Sequence, residues 1–269
     1  MSFKLDSSNY HSKEANMQYM SSTLYKDFAG MFGRPKCEAH GLAVLKGEWE
    51  DETTEAMKIG SYVDAHFSGT LDVFKAQNPE IFTKSGELKV GYKHAEVMIQ
   101  RVERDPLFMK SMSGEKQVII TAEIFGIEWK ACIDSLIYEV ALTDLKTAQA
   151  IRKAYRVKDY GYVSFIEYWG YDIQMAIYQK IVEIKTGHQL PVFISVVSKE
   201  KPEPDHEVIH IDQNRLDESM IEVETNLKRI LQIKNGEAEP DRCGRCDYCK
   251  HTKILTKPIH YSELILDFS

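Results

Sequence analysis

The segment from Gln117 to Thr147 constrains the fold most, because there the residue pattern changes from a helical period to a strand period. It is rich in Val, Ile, Thr and Trp, the residues that favour β-strands. The pattern predicts three strands, over residues 117–124, 127–137 and 140–146. This segment is therefore the predicted core of a sheet.

Helical patterns flank the predicted sheet in the sequence. From Thr53 to about Leu71 apolar residues recur every three or four positions, which indicates a helix with one buried stripe. Similar patterns predict two short helices within 21–46, broken near Gly33-Arg34-Pro35, and helices over 91–112, 171–186 and 213–235. Two more strands are predicted over 191–198 and 206–211. The order predicts an α/β core with helices on both faces of the sheet.

A chain of 269 residues with 43% hydrophobic and 28% charged content can bury a core without covalent staples. We expect a single domain over 1–269, with the Cys-rich residues 237–257 as a C-terminal module packed on it. The sequence shows no apolar run of membrane-spanning length and no signal-peptide pattern at its start. The expected location is therefore the cytoplasm, without membrane association.

The charge distribution bears on binding to nucleic acid. A net charge of -7 argues against a protein that coats nucleic acid without specificity. Positive residues nevertheless gather in two places, over 146–158 and 242–257. These clusters are either basic binding faces or two ordinary solvated surfaces.

Asp144-Leu145-Lys146 is the motif that indicates chemistry. On a strand, Asp144 and Lys146 point to the same side, and Leu145 points into the core. A hairpin centred near Glu139 would place Asp134 opposite Asp144, and two such like charges destabilise a sheet unless a cation lies between them. The pattern predicts a Mg²⁺ site, with Lys146 placed to orient the attacking water and offset charge on a phosphate.

Acid-x-Lys triplets are not specific by themselves. The triplet occurs four times, beginning at Glu87, Glu128, Asp144 and Glu183. Glu87 falls in a predicted loop and Glu183 in a predicted helix, whereas Asp144 follows another strand acid at hairpin range. The competing site consists of Glu128 and Lys130, with Glu115 as the second carboxylate. If Glu115 does not belong to that site, it is either an added ligand of the main metal site or a solvated residue at a strand end.

An ordered set of residues resembles a known family. The set is His66, Ile133-Asp134, Asp144-Leu145-Lys146-Thr147 and Gln174-xxx-Tyr178. Over about residues 35–250 it resembles the RecB-type branch of the PD-(D/E)XK nucleases, particularly phage exonuclease VIII-like proteins. The resemblance implies a restriction-endonuclease-like core, with a central mixed sheet flanked by helices and helical additions at both ends of the chain.

The resemblance also implies roles for the residues. His66, Asp134, Asp144 and the Leu145 carbonyl would bind Mg²⁺ or Mn²⁺, Lys146 would be catalytic, and Gln174 and Tyr178 would support the site and the DNA. Taken alone, His66 at the edge of an apolar stripe would be an ordinary core or surface histidine. Likewise Gln174 and Tyr178 alone would be a common helix surface pair.

For the whole protein, the resemblance implies a metal-dependent DNA nuclease, an exonuclease serving recombination or repair. Its implied partners are DNA and a single-strand annealing recombination protein. Some relatives form an oligomeric ring, so the resemblance also allows this chain to form a homo-oligomer. The alternative function is a non-catalytic nucleic-acid-binding protein with a zinc or iron-sulfur module.

Three of the five cysteines are clustered. Cys243, Cys246 and Cys249 form a C-x2-C-x2-C run, which matches three ligands of a ferredoxin-type [4Fe-4S] cluster. Some RecB-type nucleases complete such a cluster with one cysteine that precedes the nuclease core, and this resemblance implies Cys37 as the fourth ligand. The alternatives are Zn²⁺ with His251 as a ligand, or free thiols in a turn.

Overall fold

The strand-rich segment folds as a meander around Asp134. In the computed structural model, which describes residues 3–31 and 33–262, strand β1 (Val118–Ile124) pairs antiparallel with β2 (Ile127–Ile133). After the single residue Asp134, β3 (Ser135–Ile137) pairs antiparallel with β4 (Ala141–Ala148). The run predicted over 127–137 is thus two strands, because the chain bends at Asp134 and changes its partner strand.

The remaining strands extend the sheet from β4. A short hairpin, β5 (Tyr155–Val157) with β6 (Gly161–Val163), follows β4. Strand β7 (Val192–Ser198) then runs parallel to β4, and β8 (His206–His210) pairs antiparallel with β7. The order β3-β4-β7-β8 contains both parallel and antiparallel neighbours, which confirms the mixed sheet.

Eleven α-helices fall within the part of the chain that is described. They are α1 (Lys13–Gln18), α2 (Ser22–Ala29), α3 (Glu38–Lys46), α4 (Glu55–Phe67), α5 (Leu71–Gln77), α6 (Val90–Glu103), α7 (Pro106–Ser111), α8 (Phe165–Tyr168), α9 (Tyr171–Thr186), α10 (Gln213–Lys234) and α11 (Asp247–His251). The helices predicted from periodicity are confirmed as α2, α3, α4, α9 and α10. Among the described residues, no helix has both the length and the apolar content to span a membrane.

The helix predicted over 91–112 is two helices, α6 and α7. The Asp105 carboxylate accepts hydrogen bonds from the N–H groups of Leu107 and Phe108, each over 2.9 Å, and Pro106 takes the first helical position. The periodicity also did not predict several short elements, which are α1, α5, α8, α11 and the β5–β6 hairpin. Each of these helices, and each strand of the hairpin, has seven residues or fewer, too few for a periodic face to be visible.

Helices cover both faces of the sheet, as predicted. One large core joins α2, α9 and α10 to strand residues that include Leu142 and Ile194. A second core packs α4, α6 and α7 against Leu145 and Val197. Because side chains alternate along a strand, Asp144 shares the face of Leu142, beneath α9, while Leu145 points into the second core.

The Cys-rich segment packs against the start of α3. Glu38 accepts hydrogen bonds from the Arg229 guanidinium and from the Asp241 N–H, both at 2.7 Å. The Ala39 N–H donates to the Asp241 carbonyl over 3.1 Å, and the buried Cys37 and Cys249 lie in one small cluster. These contacts join distant parts of the chain beside α10. The outer ends of the predicted domain, residues 1–2 and 263–269, lie outside the described residues.

Candidate active site

The β3–β4 hairpin brings the two predicted aspartates together. Ser135 pairs with Thr143, so one step further in the same register places Asp134 opposite Asp144. The turn contains Glu139 with φ +61°, which confirms a hairpin centred on that residue. Both carboxylates therefore lie at one point of the sheet, where β2 ends and β3 begins.

Asp144 is held from two sides and is only 2% exposed. The Gln174 side-chain amide, on α9, donates to Asp144 Oδ1 over 2.7 Å. The Lys146 ammonium forms an ion pair with Asp144 Oδ2, which has no further hydrogen-bond donor among the described residues. The structure therefore brings Asp144, Lys146 and Gln174 into direct contact.

A third carboxylate, which the sequence pattern did not indicate, lies beside Asp134. The Gln117 side-chain amide donates to Asp134 Oδ1 over 3.2 Å and to Asp64 Oδ1 over 3.3 Å. The Leu145 N–H donates to Asp134 Oδ2 over 2.8 Å. Asp64, Asp134 and Asp144 all line one cavity of about 780 Å³.

His66, the helical metal ligand that the resemblance implies, is not among the residues that line this cavity. Its Nε2 lies 2.8 Å from Glu103 Oε1 on α6. Residues two apart on a helix are separated by about 200° around its axis, so Asp64 and His66 point in different directions. Gly60, one turn before Asp64, faces β4: a Cβ there would lie 3.1 Å from Thr147 Oγ1. Asp64, and not His66, is therefore the residue of this pair that lines the cavity.

The buried charges of the site do not balance. Burial, and then the charge of Asp144, raise the pKa of Asp134 to about 8, and burial is also the main cause that raises the pKa of Asp64. Burial alone would lower the pKa of Lys146, but the charges of Asp144 and Asp134 outweigh it and raise that pKa. Three carboxylates beside one ammonium leave an excess of negative charge, which suits a divalent cation.

This charge excess predicts a stability that falls as pH rises when divalent ions are absent. Because the folded-state pKa of Asp134 exceeds the ordinary value of 3.8, folding favours its protonated form. The contribution is complete below that ordinary value and is lost as pH rises through about 8. We expect Asp134→Asn to be more stable than wild type at pH 8 by roughly 1–2 kcal/mol, as measured by urea unfolding without divalent ions. At pH 4 the two proteins should be nearly equal; a constant difference at both pH values would contradict the assignment.

Further side chains lie close to the carboxylates. Tyr178, one helical turn after Gln174, is buried and lines the cavity, and burial raises the pKa of its hydroxyl. Lys26 of α2 was not indicated by the sequence. Its pKa is lowered to about 8 by burial and then by the charge of Lys146. The Lys26 and Lys146 ammonium groups lie 5.6 Å and 5.1 Å from the centre of the Tyr171 ring.

The competing acid-x-Lys triplet does not form a comparable site. Glu128 is exposed and lies directly opposite Glu123. The Lys130 ammonium is instead turned inward, where it donates to the Tyr10 carbonyl and, over 2.7 Å, to Asn16 Oδ1. Glu115 pairs through its backbone with Leu136 and is exposed at the strand end. This arrangement separates the members of the competing triplet.

All four cysteines of the predicted cluster converge at one place. The sulfur atoms of Cys37, Cys243, Cys246 and Cys249 all lie within 4.8 Å of one another. His251, the alternative ligand, is not among them, and its ring lies 5.4 Å from that of Trp49. Cys132, the fifth cysteine, is separate and lines the carboxylate cavity, where burial and then Asp134 raise its pKa to about 12.

Comparisons with known proteins agree with this fold. The family described as a PDDEXK-like domain of unknown function matches residues 21–252. A crystal structure of a candidate exonuclease from Eubacterium rectale has a TM-score of 0.95 and 52% sequence identity, covering 98% of this chain and 99% of that chain. The crystal structure of SSO0001 has 10% sequence identity and a TM-score of 0.29, covering 70% of this chain and 82% of that chain. This similarity is too low to inform the site. No curated protein matches the chain. With most of its length matched, the chain belongs to the PDDEXK-like family and has the fold of a PD-(D/E)XK nuclease.

Proposed function

We propose that this protein is a Mg²⁺- or Mn²⁺-dependent DNA nuclease that hydrolyses phosphodiester bonds from the ends of duplex DNA, in recombination or repair. The convergence of Asp64, Asp134 and Asp144 beside Lys146 in one cavity carries the proposal. The similarity to a protein described as a candidate exonuclease supports action from an end. A single-strand annealing partner and a homo-oligomeric state are proposed from the family resemblance.

Asp64, Asp134 and Asp144 would hold the metal ion, because carboxylate oxygens are the ligands that Mg²⁺ and Mn²⁺ prefer. The Leu145 carbonyl is a suitable fourth ligand. In an extended strand the N–H and C=O of one residue point to the same side, and the Leu145 N–H already points at Asp134. When bound, such an ion would supply Lewis acidity to the phosphate and lower the pKa of the attacking water.

Lys146 would act as a fixed cation. The pKa of Lys146 is raised against the effect of burial by Asp144 and Asp134, so its amine is protonated at neutral pH. An ammonium in this position offsets the negative charge that develops on the phosphate during attack and can orient a water molecule. Gln174 would be a positioning residue, because it holds one oxygen of Asp144 and leaves the other to Lys146 and the metal ion. Tyr178 would close the inner wall.

The cavity rim offers contacts for nucleic acid. Lys199 and Tyr171 line it, and the adjoining β5–β6 hairpin carries an exposed Arg156 and a Tyr162 that is 76% exposed. Surfaces that bind single-stranded nucleic acid have two components: cations that bind the phosphates, and aromatic rings on which the bases stack. Within the predicted basic cluster over 146–158, Arg152 instead pairs with Glu207. The strand that enters the cavity would therefore pass along the hairpin.

A digestion experiment tests the proposed activity. Linear duplex, covalently closed circular duplex and linear single-stranded DNA are incubated with the protein, with and without added Mg²⁺. We expect Mg²⁺-dependent release of nucleotides from the linear duplex and an intact closed circle. Cleavage of the closed circle would indicate an endonuclease. Binding to DNA without cleavage of any substrate would favour the non-catalytic alternative.

Paired substitutions on α4 test which residue completes the site. Asp64→Asn should lower the Mg²⁺-dependent rate by about 10²-fold or more, since it removes a charged ligand beside Asp134. His66→Gln should leave the rate within about threefold, because its imidazole faces Glu103 and not the cavity. Rates are measured over a Mg²⁺ titration. A large loss in His66→Gln together with an active Asp64→Asn would restore the assignment that the resemblance implied.

A further inference from the structure

The four converging cysteines can hold either of two inorganic groups, and their spacing distinguishes them. The Cys37 and Cys249 sulfurs are 3.5 Å apart, and no pair within the four exceeds 4.8 Å. A zinc ion binds thiolates at about 2.3 Å in a tetrahedron, which places the sulfurs about 3.8 Å from one another. In a [4Fe-4S] cluster each thiolate binds a different iron, so the inorganic core itself holds the four sulfurs further apart. The observed spacing is that of ligands around one ion.

The surrounding contacts oppose an expansion of the site. Cys37 immediately precedes Glu38, which the Arg229 guanidinium and the Asp241 N–H hold. The Cys243 N–H, two residues after Asp241, points at the Cys37 sulfur over 3.5 Å. These bonds fix the cysteine loop against α3 and so resist a separation of Cys37 from the other three cysteines.

Backbone N–H groups are directed at the sulfurs. Cys243 Sγ accepts from the N–H groups of Arg245, over 3.4 Å, and Cys246, over 3.3 Å, and Cys246 Sγ accepts from the Cys249 N–H over 3.4 Å. Gly244, with φ +73°, makes the tight turn that this pattern needs. Donors of this kind favour the thiolate form and orient ligands around a metal.

We propose that Cys37, Cys243, Cys246 and Cys249 bind a single Zn²⁺ ion, in place of the iron-sulfur cluster that the family resemblance implies. Four thiolates fill the tetrahedral coordination of zinc and leave no position for substrate. None of the four lines the carboxylate cavity. The zinc would be structural: it would join Cys37 to Cys249, 212 positions later in the sequence, and hold the C-terminal segment on α3.

Metal analysis of the intact protein tests this inference independently of nuclease activity. The full-length chain is produced in medium containing both iron and zinc, purified anaerobically without a metal-affinity step, and examined by elemental analysis and absorption spectroscopy. We expect one zinc per chain, negligible iron, and no absorbance band near about 400 nm. Iron bound in place of zinc together with that band, or neither metal bound, would overturn the proposal.

Three variants give the matched comparisons. Cys249→Ser should lose the zinc, and its Tm should fall by about 5 °C or more, since metal binding contributes to folding stability. Cys132→Ser, outside the group, should keep one zinc per chain. Asp144→Asn should also keep it, so a failed nuclease assay and a failed zinc assignment are distinguishable. If Cys249→Ser does not fold, Cys243→Ser, at an exposed position, provides the same measurement; zinc retained in a folded cysteine variant would contradict the proposal.

Discussion

Asp144→Asn is expected to lower the Mg²⁺-dependent rate of phosphodiester hydrolysis by at least about 10³-fold. The substitution removes one of three negative charges that would hold the ion. It also removes the partner of the Lys146 ammonium and weakens the charge-assisted bond from Gln174. The measurement is the initial rate of nucleotide release from end-labelled linear duplex at saturating Mg²⁺.

The matched control is Asp72→Asn, the same chemical change at an exposed position of α5. It should leave the rate within about twofold, because surface substitutions away from partners have small effects. Circular dichroism and urea unfolding should show that Asp144→Asn is folded and at least as stable as wild type without divalent ions. An Asp144→Asn variant as active as Asp72→Asn would remove the metal site from the mechanism.

Lys146→Met should lower the rate by about 10²- to 10⁴-fold while leaving the binding of Mg²⁺ intact. Methionine keeps much of the side-chain length and apolar surface but removes the cation that offsets charge on the phosphate. Because the ammonium pairs with Asp144, its removal should leave the apparent affinity for Mg²⁺ unchanged or increase it. A Mg²⁺ titration of the rate separates the two quantities.

Lys84→Met, at an exposed loop position, is the control for the loss of a lysine. It should retain both the wild-type rate and the wild-type Mg²⁺ dependence. If Lys146→Met reached the wild-type rate at a higher Mg²⁺ concentration, the Lys146 ammonium would act by assisting metal binding and not by stabilising the reacting phosphate.

The central hairpin could be predicted because its information is local. Strand alternation requires Asp144 and Lys146 to share a face, and a turn near Glu139 then requires Asp134 to lie opposite Asp144. The structure has this register. The family resemblance added Gln174, and the structure places its amide on Asp144.

On α4 the family resemblance pointed to His66, whereas Asp64, on another face of the helix, lines the cavity. His66 belongs to an ordered set of residue types, but such a set does not give the rotation of a helix against a sheet. Gly60, Ser61 and Asp64 recur at helical spacing and form a small, polar face, and the close approach of Gly60 to Thr147 selects this face for the site. That sequence signal was available, yet it gains meaning only once α4 is packed on β4.

Cys37 as the fourth cysteine was implied only by the family resemblance. The sequence by itself determined the order of strands and longer helices, the pairing of Asp134 with Asp144, and the grouping of Cys243, Cys246 and Cys249. These follow from side-chain periodicity and residue spacing, which depend on neighbours in the chain. Only the tertiary structure decided that Asp64 and not His66 lies beside the carboxylates, that Lys26 and Lys146 both lie over the Tyr171 ring, and how far apart the four sulfurs lie. Such features depend on how helices pack against the sheet, at distances that no local pattern encodes.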